Sequence, residues 1–466
     1  MIRPTRILAI ALATALLGGC ATFSRDAGFD GVETATRAHL EQDVVWVRDD
    51  ATRAEIHARI DALLVQPLSA DDAVQIALLN NAGLQAAFHT LGIAEADWVA
   101  AGRMQNPGFS IGRSTRGDEV EWERSVHVNL ARLLTLPMRR DIEQRRFEQT
   151  RRDVVLQVLR LAADTRKAWV AAVAANQSAR YQLQTLDAAE AGAELARRMA
   201  EVGNWSRLQQ AREQSFYADA ALAVARAEQA RVQARERLVR LMGLDDGVRV
   251  TLPERLPDLP AQLAPLPQAE QQAMDARIDL AVARLETEAL AKNLGLTRRT
   301  RFINVLEFGA SHTSSNEEPV ERGYEISFEL PLFDWGGARI AGAEARYRQA
   351  LLRTRELAVN ARSQVREAHA LQQSRYAIAR HLRDEVVPLR QRIAEENLLR
   401  YNGMLIGVFE LLADARAQIA SVNAAIDAQR DFWLADADLG MALVGTPALS
   451  PVAAPIAAPA DAGGGH

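Results

Sequence analysis

The 466-residue chain has a single cysteine, Cys20, so it can form no internal disulfide and offers a metal no second thiolate. Its eight histidines are scattered without an H-E-x-x-H or other paired ligand spacing, and no dedicated metal site or cofactor is expected. No G-x-x-x-x-G-K-[ST] loop occurs, so energy for any work must come from a partner. Aromatic residues are scarce, at 5%, and the apolar content is dominated by Ala, Leu and Val, small side chains that favour close approach of helices. The 55 Lys and Arg are interleaved with 60 Asp and Glu, and the lack of a basic cluster argues against nucleic-acid binding. Past the first twenty residues no apolar run is long enough for a transmembrane helix. A membrane crossing would therefore have to be made by strands.

The first twenty residues have the marks of export. Arg3 and Arg6 precede the apolar run Ile7 to Leu17, which closes on Leu17-Gly18-Gly19-Cys20. That run is too short to span a bilayer, whereas positive charge, a short apolar stretch and small residues make a signal peptide, read here as 1–19. Loss of Arg3 and Arg6 leaves 53 cationic residues against 60 acidic ones, a net charge of −7. Leu-Gly-Gly-Cys resembles a bacterial lipobox. That resemblance implies cleavage before Cys20, thioether lipidation of its sulfur and palmitate-type acylation, making 20–69 a lipidated N-terminal segment. Ala21 lacks the aspartate associated with inner-membrane retention.

What is present begins with alternation. In Tyr324-Glu325-Ile326-Ser327-Phe328-Glu329-Leu330, the period of two puts Tyr324, Ile326, Phe328 and Leu330 on one surface and Glu325, Ser327 and Glu329 on the other. A barrel wall between lipid and a water-filled lumen has this pattern. Val126, Val128 and Leu130 alternate likewise with Ser125, His127 and Asn129, and Phe302, Leu306 and Phe308 share a face in a further segment. Two strand pairs are expected, over 107–134 and 301–332, the second closed by a polar loop, 311–322, that contains Pro319. Glu307, Glu325 and Glu329 are the candidates for the wet, lumenal side. Four strands cannot close a barrel, and open edges are not tolerated in lipid, so several chains must share one sheet.

Around these strands the chain repeats a plan. Leu136-Pro137-Met138 matches Leu330-Pro331-Leu332 194 residues later, each proline expected to end a strand before a helix. Asn81-Ala82-Gly83-Leu84 parallels Arg277-Ile278-Asp279-Leu280 at a spacing of 196, and Gly203 and Gly403 lie 200 apart. The first copy is read as 70–252 and the second as 270–445, joined by a proline-rich linker at 253–269. Each has a helix, a strand pair and a long helical hairpin, at 139–243 and 337–443. No proline interrupts 138–252, and Val155, Val158, Leu159, Ala162 and Trp169 keep one helical register. A helix over 139–202 would be about 95 Å long at about 1.5 Å per residue. Gly203-Asn204-Trp205-Ser206 supplies a breaker and then a capping serine for the reversal. Pro388 should bend or locally open the second hairpin. The Pro-, Ala- and Gly-rich tail, 446–466, is read as disordered.

These features together resemble the TolC-type outer-membrane efflux factors, including lipid-anchored members. The match runs over roughly 68–443. It is carried by Ala73 to Asn81, by Leu330-Pro331-Leu332-Phe333-Asp334, and by Tyr401-Asn402-Gly403 through Glu410-Leu411-Leu412-Ala413-Asp414-Ala415. Ala82 departs from the proline common there, and the second turn carries an extra residue around Gly407. The resemblance implies a mainly α fold with a small membrane β-barrel portion. In a homotrimer, four strands per protomer would complete a 12-stranded barrel, and the long hairpins would form a periplasmic α-barrel. It implies passive conduction across the outer membrane of a Gram-negative bacterium, served by a periplasmic adaptor (membrane fusion) protein and an inner-membrane pump. Gly203, Asn204, Trp205, Ser206, Gly403, Met404, Leu405 and Gly407 would form the adaptor-docking tip. Glu395, Glu396, Glu410 and Asp414 are aperture candidates, because threefold symmetry repeats any inward carboxylate as a ring.

Two rival classes have some support. Gly108-Phe109-Ser110-Ile111-Gly112 matches the G-x-S-x-G elbow of serine hydrolases, but that motif needs a strand-to-helix turn and Ser110 falls within an expected strand. No enzyme activity is expected. A coiled-coil lipoprotein without a pore would explain the helices and Cys20, but not four alternating segments.

Overall fold

The computed structural model describes residues 22–245, 250–302 and 305–448. Cys20, the expected signal peptide and residues 449–466 of the expected tail lie outside the described residues. In chain order the elements are α1 (Phe29–Leu40), α2 (Asp50–Leu63), α3 (Ala70–Asn80), α4 (Ala82–Ala101), β1 (Gly108–Arg116) and β2 (Glu119–Asn129). Then come α5 (Leu130–Glu201), α6 (Arg207–Met242), α7 (Ala269–Ala276), α8 (Ile278–Arg299), β3 (Leu306–Ser315) and β4 (Glu321–Phe328). Last are α9 (Gly337–His381), a π-turn (Leu382–Val386), α10 (Val387–Asn402) and α11 (Val408–Val444). None of the described helices is long and apolar enough to cross a membrane.

The chain divides into two compact units. The first takes the described parts of Met1–Asp50, Ala82–Leu159 and Arg277–Asn360. Its strands form one antiparallel sheet in the order β1-β2-β3-β4. Phe29 of α1 meets the Phe88 ring edge-on at 4.9 Å, and Trp98 stacks on Phe147 at 5.6 Å. Gly28 makes the entry to α1 possible: its φ is +76°, and a Cβ there would lie 2.7 Å from the Phe147 ring. Arg145 of α5 pairs with Glu288 of α8 at 2.6 Å, Lys292 of α8 pairs with Asp141, and the hydroxyls of Thr287 and Thr354 join α8 to α9 at 3.0 Å.

The second unit takes the described parts of Ala51–Asn81, Arg160–Ala276 and Ala361–His466. Residues 73–79 of α3 are all buried. The amides of Asn80 and Asn81, which carry part of the family resemblance, donate to the last carbonyls of α6. Asn80 Nδ2 reaches Met242 and Gly243 at 3.1 and 2.6 Å, and Asn81 Nδ2 reaches Leu241 at 2.9 Å. Helix ends leave such carbonyls without partners, so this pair seals α6 against α3. Lys167, one of two lysines in the chain, bonds Asp438 of α11 at 2.9 Å with both side chains buried. The expected linker is stitched down rather than free. Gln177 Oε1 accepts from Leu256 N, Gln429 and Trp433 donate to Pro257 O, and Tyr376 donates to Pro260 O. Leu256 and Leu259 are buried.

Several boundaries differ from those expected. The first strand pair spans 108–129 rather than 107–134, and its helix begins at Leu130 rather than 139. Asn129 explains the change: its Oδ1 accepts from Arg132 N at 2.8 Å, an N-cap that turns the chain, and Leu130-Ala131-Arg132-Leu133-Leu134 are good helix formers without alternation. Pro137 therefore lies inside α5 instead of ending a strand, whereas Pro331 does follow β4 in a loop. The second pair is 306–328 rather than 301–332, and its connecting loop is 316–320 because pairing persists to Ser315. The helix expected at 70–102 breaks at Asn81, at φ −66° and ψ 115°. Arg277, its counterpart between α7 and α8, has nearly the same backbone, φ −63° and ψ 119°. Just before Pro388 the second hairpin opens into the π-turn, as its sequence requires. Residues 20–69 carried no expected element, yet contain α1 and α2.

Candidate functional site

The sheet has two chemically distinct faces, fixed by cross-strand register. One row runs Phe109, Val126, Ala310, Tyr324; the next, toward the helices, runs Val128, Phe308, Ile326; a third joins Leu306 to Phe328. The opposite face carries Ser110, Ser125, Ser311 and Gly323 in one row, with His127, Gly309 and Glu325 in the next and Asn129, Glu307 and Ser327 beyond. All six carboxylates of the four strands, Glu119, Glu121, Glu123, Glu307, Glu321 and Glu325, point to this second face.

Neither face is covered. Tyr324, Ile326 and Phe328 are 80%, 57% and 62% exposed, and Phe109 is 65% exposed. β1 and β4 are edge strands, each paired on one side only. At the helix-proximal end the loop after β4 holds Leu330, Leu332, Phe333 and Trp335 in the open. Asp334 shapes that loop by accepting Gly336 N at 2.8 Å. Glu329 lies just past β4.

Ser110 is the third residue of β1, its Oγ 2.6 Å from Ser125 Oγ across the sheet. No helix follows it, and the geometry of a nucleophile elbow is not met.

The hairpin ends of the second unit form the other candidate region. Both turns have five residues, 202–206 and 403–407. In the first, Gly203 is left-handed at φ +80° and Ser206 caps α6 with a full capping box to Gln209. In the second the left-handed position belongs to Met404, at φ +61°, while Gly403 sits at φ −82°. The structural counterpart of Gly203 is thus Met404, 201 residues on, and Gly407 matches Ser206. The two turns are equal in length, so the second carries no residue around Gly407 that the first lacks. The π-turn at Leu382–Val386 is the device that takes up a residue in a helix without breaking it. Val202, Leu208, Met404 and Leu405 are exposed apolar residues at these ends, Met404 to 93%.

Of the expected aperture residues, Glu395, Glu396 and Glu410 are exposed and Asp414 is half-buried. Glu395 accepts from Gln391 at 3.1 Å, one turn back on its own helix. Asp414 accepts from Asn397 and so ties α11 to α10. Among the described residues the structure shows no hydrogen bond joining any two of these four. It does show a pair that sequence reasoning missed. Glu213 of α6, 2% exposed, bonds Arg416 of α11, whose guanidinium lies 4.4 Å from the Phe216 ring centre. The pair bridges the two hairpins near their turns. Its members are 203 residues apart, and no local pattern marks either.

No protein-family model matches the chain, and no curated protein resembles it in sequence. Solved structures do match. The Campylobacter jejuni CmeC outer membrane channel superposes with a TM-score of 0.70 at 15% identity, over 80% of this chain and 85% of that one. The outer-membrane channel OprN gives 0.68 at 18%, over 88% and 95%. The Neisseria gonorrhoeae MtrE outer membrane channel, in its open state, gives 0.66 at 18%, over 80% and 88%. The chain therefore has the fold of these outer-membrane channels, mainly α-helical with a small four-stranded sheet.

Proposed function

We propose that the protein is the outer-membrane channel of a tripartite efflux or secretion system, a passive duct for solutes delivered by an inner-membrane pump through a periplasmic adaptor. One observation carries this reading: a sheet uncovered on both sides and open at both edges, apolar on one face and bearing every strand carboxylate on the other. Such a sheet has no stable place in water or in lipid as a lone unit. Lipid requires all backbone groups to be paired, so β1 of one copy must bond β4 of another. Three copies of four strands give a 12-stranded closed wall with lipid against the apolar face and water inside. Glu307 and Glu325, with Glu329 just beyond β4, then keep the lumen wet. Leu332, Phe333 and Trp335 suit the periplasmic interface of the outer membrane, where aromatic side chains collect.

The hairpin ends serve as the periplasmic aperture and docking tip. Exposed Val202, Leu208, Met404 and Leu405 offer an adaptor the apolar contact that an isolated tip has no reason to keep. Met404 holds a left-handed backbone that costs a non-glycine residue about 1–2 kcal/mol. The Glu213–Arg416 pair locks the two hairpins in a narrow arrangement, and Glu395, Glu396, Glu410 and Asp414 supply negative charge near the opening. Thioether lipidation at Cys20 adds an anchor to the same membrane.

Planar-bilayer recording tests the duct. Purified protein is expected to conduct, and Glu213→Gln or Arg416→Ala to raise the unit conductance or open probability. Trimer that stays silent, even with those locks removed, would end the channel reading. For the anchor, Cys20→Ser should abolish fatty-acid labelling without preventing assembly; unchanged labelling would refute it.

A further inference from the structure

The apolar face of the sheet is not uniformly apolar. One row above Phe109, Val126, Ala310 and Tyr324, toward the β-hairpin ends, the register places Ile111, Arg124, His312 and Arg322 side by side, and Arg113 stands in the row beyond, beside Trp122. Arg124 and Arg322 flank His312 on its two neighbouring strands, which gathers cationic side chains on a face otherwise apolar. No carboxylate on that face offsets them, since all six strand glutamates point the other way. Among the described residues Arg113, Arg124 and Arg322 form no ion pair, and His312 Nδ1 has no hydrogen-bond partner. Arg113 lies 5.7 Å from the centre of the Trp122 ring. The arginines are exposed.

We propose that this row, Arg124, His312 and Arg322 with Arg113 above it, binds the anionic phosphate groups of outer-leaflet glycolipid. The inference rests on the reading of this face as lipid-exposed. A barrel wall needs only an apolar surface, so the row asks for a separate cause. Its depth supplies one. Rows lie about 7 Å apart along the strand, so the cations stand one step outside the last apolar row and on the side away from the helices. With the helices on the periplasmic side, the row faces the outer-leaflet half of the membrane, where long arginine side chains reach up to headgroups. Guanidinium groups bind phosphate in forked, charge-assisted pairs, and two arginines flanking a histidine form a cradle wide enough for one phosphorylated sugar. Bound phosphate would neutralise the row, fix the height of the barrel in the membrane and give the protein a preference for phosphorylated glycolipid over zwitterionic lipid.

The test uses the full chain purified in mild detergent, with native mass spectrometry reading bound lipid. The probes are lipid A bearing two phosphates, its dephosphorylated form, phosphatidylethanolamine and inorganic phosphate. Wild type is expected to retain the diphosphorylated lipid selectively. Each of Arg124→Ala and Arg322→Ala should weaken it about fivefold, and the double variant about 30-fold. Arg124→Lys, which keeps the charge but loses the fork, should fall between wild type and Arg124→Ala, and Arg116→Ala, on the other face, should change nothing. Equal retention of the dephosphorylated lipid, loss to the same degree in Arg116→Ala, or full competition by millimolar phosphate would overturn the proposal. So would a changed oligomeric state with unchanged lipid binding, which would make the row a contact between copies. Insertion into phosphatidylethanolamine–phosphatidylglycerol vesicles separates the two readings. Protein that inserts but shows no preference sinks this inference alone; protein that never inserts sinks the channel reading as well.

Discussion

The sheet of the first unit and the helical body of the second solve opposite problems. In the second unit polar groups find partners inside the chain: Lys167 has Asp438, Glu213 has Arg416, and the carbonyls that end α6 have Asn80 and Asn81. The sheet pairs polar side chains along one face, Ser110 with Ser125 and Ser315 with Glu119, but leaves its apolar face uncovered, with Tyr324 and Phe328 in the open and β1 and β4 each paired on one side. Internal satisfaction is what a folded body needs in water. On the proposed reading, an uncovered apolar face with two open edges is a surface for lipid and for other copies of the chain.

The comparison breaks first where the helical body is most self-sufficient. Asp438→Ala should leave the Lys167 ammonium with only the Asp164 carboxylate, 3.6 Å away, and the Ala448 carbonyl, and cost about 3 kcal/mol, read as a fall in the thermal midpoint of helical circular dichroism. A shift near zero would mean that the second unit does not depend on its internal pairs. The sheet should respond by face rather than by burial. Ile326→Lys is expected to cost about 2–4 kcal/mol in refolding from denaturant into lipid vesicles, while its neighbour Ser327→Lys should cost far less. Equal costs would remove the distinction between the faces.

Two smaller effects sharpen the account of the hairpin ends. Ser206→Ala removes the capping box of α6 and should cost about 1 kcal/mol, whereas Met404→Gly relieves a left-handed residue and should stabilise by a similar amount. If Met404 serves docking, the same glycine variant should co-purify less adaptor despite its greater stability. The smallest effect is at Glu194, whose carboxyl is held down at about 2, from an ordinary 4.5, by hydrogen bonds from Arg197 and then Arg198. A lowered carboxylate stabilises the fold above its unfolded value and loses that contribution as pH falls through the folded one. Glu194→Gln should therefore unfold slightly more easily than wild type above about pH 4.5, and the gap should close near pH 2. A gap that widened with acid would contradict the assignment.

Much of this was legible because periodicity is a local signal. Val155, Val158, Leu159, Ala162 and Trp169 are all buried, as one helical register requires, and Tyr324, Ile326 and Phe328 share a sheet face as alternation requires. Pro388 announced the π-turn before it. The strand end at Asn129 was hidden by Pro137, a strong breaker that the helix nonetheless passes through, because the cap eight residues earlier had already set its direction. α1 escaped notice because its packing on Phe88 draws on a residue far along the chain. Glu213–Arg416 and Lys167–Asp438 join residues 203 and 271 apart, and no single-sequence pattern reports such pairs. Of the four aperture candidates, Asp414 is the one whose side chain bonds across to the neighbouring helix, through Asn397.

The central claim is most directly tested by thiol labelling along β4 in a Cys20→Ser background, with single cysteines at positions 324 to 328 in membrane-inserted protein. A membrane-impermeant maleimide should label 325 and 327 and spare 324, 326 and 328. Uniform labelling, or the inverse alternation, would contradict a wall with lipid on one side and water on the other.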